Sequence, residues 1–242
     1  MNTKKVEIRV SGLAVQIVRK DIKNLHLGVY PPNGRVRVAA PLTVNDEAVR
    51  LAVISRLGWI KRQRAKFEGQ SRQSEREMVT GESHYFLGQR YRLRVVNHDG
   101  GARVAMRNKS IIELIVRKQT TVEQRERLLQ RWYRQQLKVL IPPLLEKWKT
   151  TLGVQVGDWG VKKMKTKWGA CTVEARRIWL NLELAKKPLH CIEFIVVHEM
   201  VHLLERKHNE IFISYMDKFL PSWRFYKEEL NRSPLRHENW SY

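Results

Sequence analysis

The chain has 242 residues and a large excess of basic side chains, with 46 Lys and Arg against 24 Asp and Glu and a formal net charge of +22. A hydrophobic share of 43% excludes a disordered chain, and no apolar run approaches the roughly 18 residues that a membrane-spanning helix needs. The N-terminus lacks the apolar region of a secretory signal, and two cysteines cannot form a disulfide framework. We therefore expect a cytoplasmic globular protein of one or two domains whose charge favours an anionic partner.

The first part of the chain, up to residue 43, shows the alternation of apolar and polar residues that is typical of half-buried strands. Pro31-Pro32-Asn33-Gly34 predicts a tight connection between two of these strands, because Asn-Gly accepts positive φ. Helical spacing of apolar residues follows from Asp46 to Phe67. The polar stretch over 68–77 predicts a surface loop.

Two more β segments complete the front of the chain. His84 to Val96 predicts a hairpin with its turn at Leu87-Gly88-Gln89-Arg90, and Ile111 to Val116 predicts a further strand. No repeat of fixed period is visible, which argues against a solenoid. We interpret residues 1–118 as an N-terminal β-rich domain.

Helical patterns dominate the rest of the chain, 119–242. Thr121 to Thr151 predicts a long helix that Pro142-Pro143 should kink or restart. We interpret the arginines on its polar side as a solvated helix face; they are Arg125, Arg127, Arg131 and Arg134.

Residues 152–185 return to β character before two more helices. Pro188 is suited to begin a helix that we expect to run to about Glu205. Asn209 can cap another helix that ends near Phe219.

The residues that carry chemistry form the pattern H-E-x-x-H from His198 to His202. Four residues advance a helix by roughly 400°, so the two imidazoles share a face and can reach one Zn²⁺. Glu199 lies beside the first ligand, where it can take a proton from a metal-activated water. Buried polar groups are costly unless they are bound. We therefore favour a metal site over two core histidines held by hydrogen bonds alone.

Tetrahedral closure needs a third ligand from off the helix. On a straight helix His208 would lie about 9 Å beyond His202 and on the wrong side, so the chain must bend after Leu204. Glu205 shares the face of the two histidines but lies about 10.5 Å along the axis from His198. We favour His208, with Glu205 or a distant carboxylate as the alternatives.

A lysine-rich loop precedes Trp168-Gly169-Ala170-Cys171. One interpretation is a strand turn packed under the active-site helix, since Trp and Cys are usually buried. The other is functional: Lys165, Lys167 and Trp168 would bind substrate, and the lysines would hold a phosphate or an oxyanion near the metal. Cys171 is a weaker candidate for a metal ligand, and we assign Asn181 hydrogen bonds to the main chain.

The sequence resembles the YgjP-like metal-dependent hydrolases, which are related to SprT-like and other M48-type zinc metallopeptidases. The resemblance spans most of the chain, and Ala170 replaces the serine of the family's W-G-S-C pattern. It rests on four blocks, which are Trp168-Gly169-Ala170-Cys171-Thr172, Ile178 to Leu184, His198 to His208, and Phe212 with Phe219-Leu220-Pro221.

The resemblance implies an α+β fold with a zincin-like catalytic domain over 119–242 behind the N-terminal domain. It also implies that His198, His202 and His208 bind Zn²⁺, or another divalent ion such as Ni²⁺ or Mn²⁺, and that Glu199 is the general base.

Two functions follow from this resemblance, and a third stays open. The first is a zinc metallopeptidase acting on a peptide or protein. The second is a nucleotide pyrophosphatase acting on UTP at the same site, which the positive charge and the lysine loop favour. The third is a nucleic-acid-associated module with a structural metal, although no helix-turn-helix or finger spacing is present.

Overall fold

The computed structural model describes residues 5–30, 34–68, 76–164 and 167–232. These residues form eleven strands, six α-helices and one short 3-10 helix in a mixed α+β architecture. The described residues form two compact units, one made of residues up to 68 and the other of residues from 76 onward. The predicted boundary after residue 118 falls inside the second unit, and as a boundary between folding domains it stays a prediction.

The first unit is a four-stranded sheet with two helices. Its strand order is β1-β2-β4-β3, with β2 and β4 parallel and the outer pairs antiparallel. The alternating residues of the strands form a core with α1 and α2, which explains the period of two in the sequence. The elements are β1 (Lys5–Val10), β2 (Leu13–Lys20), β3 (His26–Tyr30), β4 (Arg35–Pro41), α1 (Asp46–Ile54) and α2 (Leu57–Glu68).

One helix was predicted over Asp46 to Phe67, and the structure has two. The break falls at Ser55, whose hydroxyl donates to the carbonyl of Ala52 at 3.0 Å. Such local bonds compete with helix continuation. Of the predicted connection at Pro31-Pro32-Asn33-Gly34, only Gly34 lies within the described residues, and it has the expected positive φ of 65°.

The second unit begins with another four-stranded sheet, of order β5-β6-β8-β7. Its central pair is again parallel and its outer pairs antiparallel, so the two sheets share one topology. Leu87 and Gly88 have φ of 48° and 80°, which is the two-residue hairpin turn predicted at this position. The strands are β5 (Ser83–Phe86), β6 (Gln89–Asn97), β7 (Arg103–Asn108) and β8 (Ile111–Val116).

The long helix α3 (Val122–Leu152) begins at a capping box made by Thr121 and Gln124. It runs as one helix through Pro142 and Pro143, so of the two predicted alternatives, a kink or a restart, the restart is wrong. Buried side chains on both sides of the prolines anchor the helix and offset the lost hydrogen bonds; they are Leu137, Ile141, Leu145 and Trp148.

The last part of the chain forms the layer that carries the site. A three-stranded sheet has the order β10-β11-β9, so β10 is an edge strand of it. Helix α4 is largely buried and packs against α3, α6 and β10. The elements are β9 (Asp158–Lys162), β10 (Gly169–Thr172), β11 (Arg177–Asn181), the 3-10 helix (Leu182–Lys186), α4 (Leu189–Val201), α5 (Glu210–Phe219) and α6 (Trp223–Arg232).

Within the described residues, every helix is too short or too polar to cross a bilayer.

Candidate metal centre

The first half of the site lies at the carboxyl end of α4. The helix ends at Val201, earlier than the predicted end near Glu205, and His202 is its C-cap. A tightened turn follows, in which the N–H groups of Leu203 and Leu204 donate to carbonyls three residues back, at 3.0 and 2.9 Å. The chain therefore leaves the helix axis directly after the second histidine.

The second half of the site lies at the start of α5. Asn209 caps this helix, as predicted, by accepting a hydrogen bond from the N–H of Phe212 at 3.0 Å. His208 immediately precedes the cap, so the bend and the cap together carry it back toward α4.

The three histidines converge on one point. The ligand nitrogens of His198, His202 and His208 all lie within 4.8 Å of one another, and Nε2 of His198 is 3.0 Å from Nε2 of His208. The ring of Phe212 packs against all three imidazoles, with centroid distances of 4.9, 4.8 and 4.7 Å. Sequence reasoning assigned Phe212 no role here, because its contact with the imidazoles depends on the bend.

A hydrogen bond fixes the orientation of one imidazole. Nδ1 of His202 lies 3.1 Å from the backbone carbonyl of Glu205, which can only accept, so Nδ1 carries the proton and Nε2 presents its lone pair. Glu205 thus contributes its carbonyl, and its carboxylate accepts from the N–H of Lys207 at 2.9 Å. Neither Glu205 nor Cys171 belongs to the histidine group.

The surroundings keep these imidazoles neutral. Burial first, and then the neighbouring imidazoles, hold the pKa of His198 well below its usual value. Burial is also the main cause that lowers the pKa of His202 and of His208. Neutral imidazole is the form that binds a metal, and tetrahedral zinc places its nitrogen ligands about 3.3 Å apart. The donor set therefore fits a divalent metal ion.

Glu199 lies between His198 and His202 in the chain, and its side chain packs against Gly169 of β10. Its side chain is only 2% exposed. Burial raises the pKa of its carboxyl to about 8, against the opposing charge of Lys167. A Cβ atom added to Gly169 would lie 2.4 Å from Oε1 of Glu199 and 2.6 Å from its Cγ. The strand can approach the carboxylate this closely only because residue 169 is glycine.

These groups open into a cleft of about 600 Å³, here called the metal cleft. The three histidines, Glu199 and strand β10 line it together with Lys167 and Arg206. At the edge of the cleft, Arg206 and Glu174 form an exposed ion pair at 3.3 Å.

Of the predicted substrate-binding residues, the metal cleft includes only Lys167. Trp168 is fully buried and is not among the residues that line the metal cleft. Nζ of Lys187 lies 5.1 Å from the centre of the Trp168 ring. Lys165 lies outside the described residues.

Asn181 supports the cleft through main-chain hydrogen bonds. Its Nδ2 donates to the carbonyls of Met164 and Lys167, at 3.1 and 2.7 Å, and its Oδ1 accepts from the N–H groups of Met164 and Glu183. Its own N–H donates to the carbonyl of Trp168 at 2.8 Å. One buried amide therefore holds the segment that leads into Gly169.

The fold and the site together define a mixed α+β protein with a group of three histidines that could hold a metal ion, next to a buried glutamate. The YgjP-like metallopeptidase domain matches residues 23–233, and the chain belongs to the YgjP-like family. Membership confirms the resemblance seen in the sequence and makes the chain a metal-dependent hydrolase of the metallopeptidase type.

The chain also resembles a solved structure, the crystal structure of the metallopeptidase zymogen of Pyrococcus abyssi abylysin. The two are 20% identical with a TM-score of 0.37, over 41% of this chain and 97% of that one. No curated protein sequence gives a significant match.

Proposed function

We propose that this protein is a zinc metallopeptidase in which His198, His202 and His208 hold the ion. The observation that carries the proposal is the convergence of three neutral imidazoles beside one buried carboxylate in a single open cleft. Three histidines suit zinc, and a catalytic zinc site keeps a fourth position open for water or substrate. The same donors also accept Ni²⁺ or Mn²⁺.

Each residue of the site has a separate task. A zinc ion bound there supplies a Lewis acid that polarises a carbonyl and lowers the pKa of water. Glu199 follows the first ligand directly in the chain and lines the same cleft, so it is placed to take a proton from water and pass it to the leaving nitrogen. Glu205 keeps His202 in its ligating orientation through the backbone carbonyl.

A peptide substrate is supported by the edge strand. Among the described residues, β10 has β11 as its only neighbouring strand, and Ala170, Cys171 and Thr172 of β10 line the metal cleft. Backbone groups on the edge of a sheet can pair with an extended peptide and would hold it in the metal cleft. This arrangement favours hydrolysis of an extended peptide over hydrolysis of a small ligand such as a nucleotide.

The second candidate is the nucleotide pyrophosphatase. It is favoured by Lys167 and Arg206, which place two positive charges in the metal cleft. Arginine and lysine are the usual partners of phosphate groups. The cleft also contains the carboxylate of Glu174, which pairs with Arg206 and reduces this advantage.

A Glu199→Gln variant separates these candidates. Zinc-loaded wild type and variant would be assayed against a casein-derived peptide mixture and against UTP. Removing a general base costs roughly 10²- to 10⁴-fold, so we expect peptide hydrolysis to fall at least 10²-fold while bound zinc is unchanged.

The exposed Glu210 of α5 provides the matched control, and Glu210→Gln should retain wild-type activity. Loss of UTP hydrolysis alone would favour the pyrophosphatase. Equal activity of all three proteins on both substrates would contradict the hydrolytic role of the site.

A further inference from the structure

A second concave site lies in the same unit, away from the metal-binding residues. It is a cleft of about 580 Å³ beyond the carboxyl ends of the parallel strands β6 and β8. Its walls are the loop around Gly100 and Gly101, the segment after Val116, and the first turns of α3. Ligands commonly bind beyond the carboxyl ends of parallel strands, because the connecting loops leave a crevice there.

Three arginines line this second cleft, which we call the arginine cleft: Arg117, Arg127 and Arg131. Arg127 and Arg131 are one turn apart on α3, and all three side chains are exposed. No acidic residue belongs to its lining. Like charges at this spacing repel one another. An anion bound between the arginines would relieve that repulsion, which favours its binding.

The arginine cleft differs from an ordinary solvated helix face. In the parts of the chain that the structure describes, none of its three arginines forms an ion pair. Glu123 lies one turn before Arg127 in the helix; its pKa is lowered mainly by the Thr121 hydroxyl and only last by the charge of Arg127. The exposed Asp99 is adjacent to Gly100 in the loop but does not line the cleft.

The other two arginines of α3 have structural partners. Arg125 donates to the carbonyl of Met78 at 3.3 Å, and Arg134 donates to the carbonyl of Val161 at 3.5 Å. The four arginines that the sequence groups together therefore divide into two that bond to carbonyls outside α3 and two, Arg127 and Arg131, that line the cleft. Within the described part of the chain, Arg127 bonds only within its own helix, where its Nε donates to the carbonyl of Glu123 at 3.4 Å.

The remaining lining is polar and open. Gln119, Thr120 and Gln124 add amide and hydroxyl groups, and Gly101 has open space where a Cβ would be. The first turn of α3 is already capped by Thr121 and Gln124, so the arginines rather than the helix end supply the positive charge.

We propose that the arginine cleft binds the phosphate groups of a nucleotide or of a nucleic-acid strand. The planar guanidinium group presents paired donors that match two phosphate oxygens, and three such groups around one crevice suit a ligand with several negative charges. The arginine cleft and the metal cleft share no lining residue, so this proposal does not depend on the proposed peptidase activity.

The test compares two double variants of the full chain. Arg127→Gln with Arg131→Gln removes two charges from the cleft. Arg90→Gln with Lys109→Gln removes two charges from the opposite end of the same sheet, where β6 and β8 begin. Binding of a fluorescein-labelled single-stranded DNA would be measured by polarisation over a salt series, and binding of inorganic tripolyphosphate by calorimetry.

We expect the cleft variant to lose about tenfold in affinity. The slope of log affinity against log salt concentration should become less steep by about 1.4, since two phosphate contacts are lost and each contributes roughly 0.7 on a single strand. The control should bind nearly as wild type. If the cleft variant loses tripolyphosphate binding, the phosphate belongs to a free nucleotide. If the cleft variant loses only DNA binding, the phosphate belongs to a nucleic-acid strand. Equal losses in both variants, or no loss in the cleft variant, would overturn the proposal, provided that melting temperatures show both to be folded.

Discussion

Glu199 and Gly169 lie 30 positions apart in the chain, and the carboxylate of one packs directly on the backbone of the other. The proximity of His198 and His202 could be predicted from the sequence, because H-E-x-x-H is a local pattern whose spacing follows from helix geometry. The packing of Gly169 on Glu199 was not accessible, because it depends on how β10 meets α4. Trp168 shows the same limit: an aromatic residue beside lysines can equally be a substrate contact or core, and only tertiary packing decides.

A methyl group at residue 169 should displace the catalytic carboxylate. We expect Gly169→Ala to lower kcat/KM by about 10²-fold, because small misplacements of catalytic groups have effects of this size. Bound metal should stay at the wild-type level, since the three atoms nearest to the added Cβ all belong to Glu199 and not to a histidine. Gly58→Ala is the control, because its Cβ would meet only Arg62, at an ordinary 3.6 Å. Wild-type activity in Gly169→Ala would show that Glu199 tolerates displacement.

Elements that begin or end at a characteristic turn or cap residue were predicted most reliably. The hairpin at Leu87 and Gly88 and the helix capped by Asn209 were predicted from turn and cap residues that act locally. The ends of α4 and the continuity of α3 through Pro142 were not, since both depend on packing against other elements. Helix α6 was not predicted at all, yet the ammonium group of Lys187 holds its end by donating to the carbonyl of Leu230 at 3.2 Å.

The contribution of Lys187 to the stability of the protein should depend on pH. Lys187 is only 2% exposed, and burial lowers the pKa of its ammonium group from 10.5 to about 8. Between these values the unfolded chain binds a proton that the folded protein has released, so the contribution of Lys187 to the free energy of unfolding rises with pH.

Urea unfolding of wild type and Lys187→Met at several pH values would measure this contribution. The stability of wild type relative to the variant should increase from pH 8 toward pH 10.5. Ionisations common to both proteins cancel in the difference, and a difference that stays constant would contradict the account.

At the scale of the whole molecule, the two four-stranded sheets repeat one topology without a repeat in the sequence. A sheet requires apolar residues at certain positions but does not require particular residue types there. Two sheets of the same topology can therefore occur in a chain that has no sequence repeat.

The charge of +22 was visible from composition, but composition does not say where on the molecule the basic residues cluster. The structure separates two places with different chemistry, the metal cleft and the arginine cleft.

The central claim is that one divalent ion sits between His198, His202 and His208. Elemental analysis by mass spectrometry of natively purified protein, before and after dialysis against zinc, tests it most directly. We predict about one ion per chain in wild type and a large loss in His198→Ala and in His208→Ala. Absence of a stoichiometric ion from wild type under both conditions, or full retention in the two variants, would contradict the account.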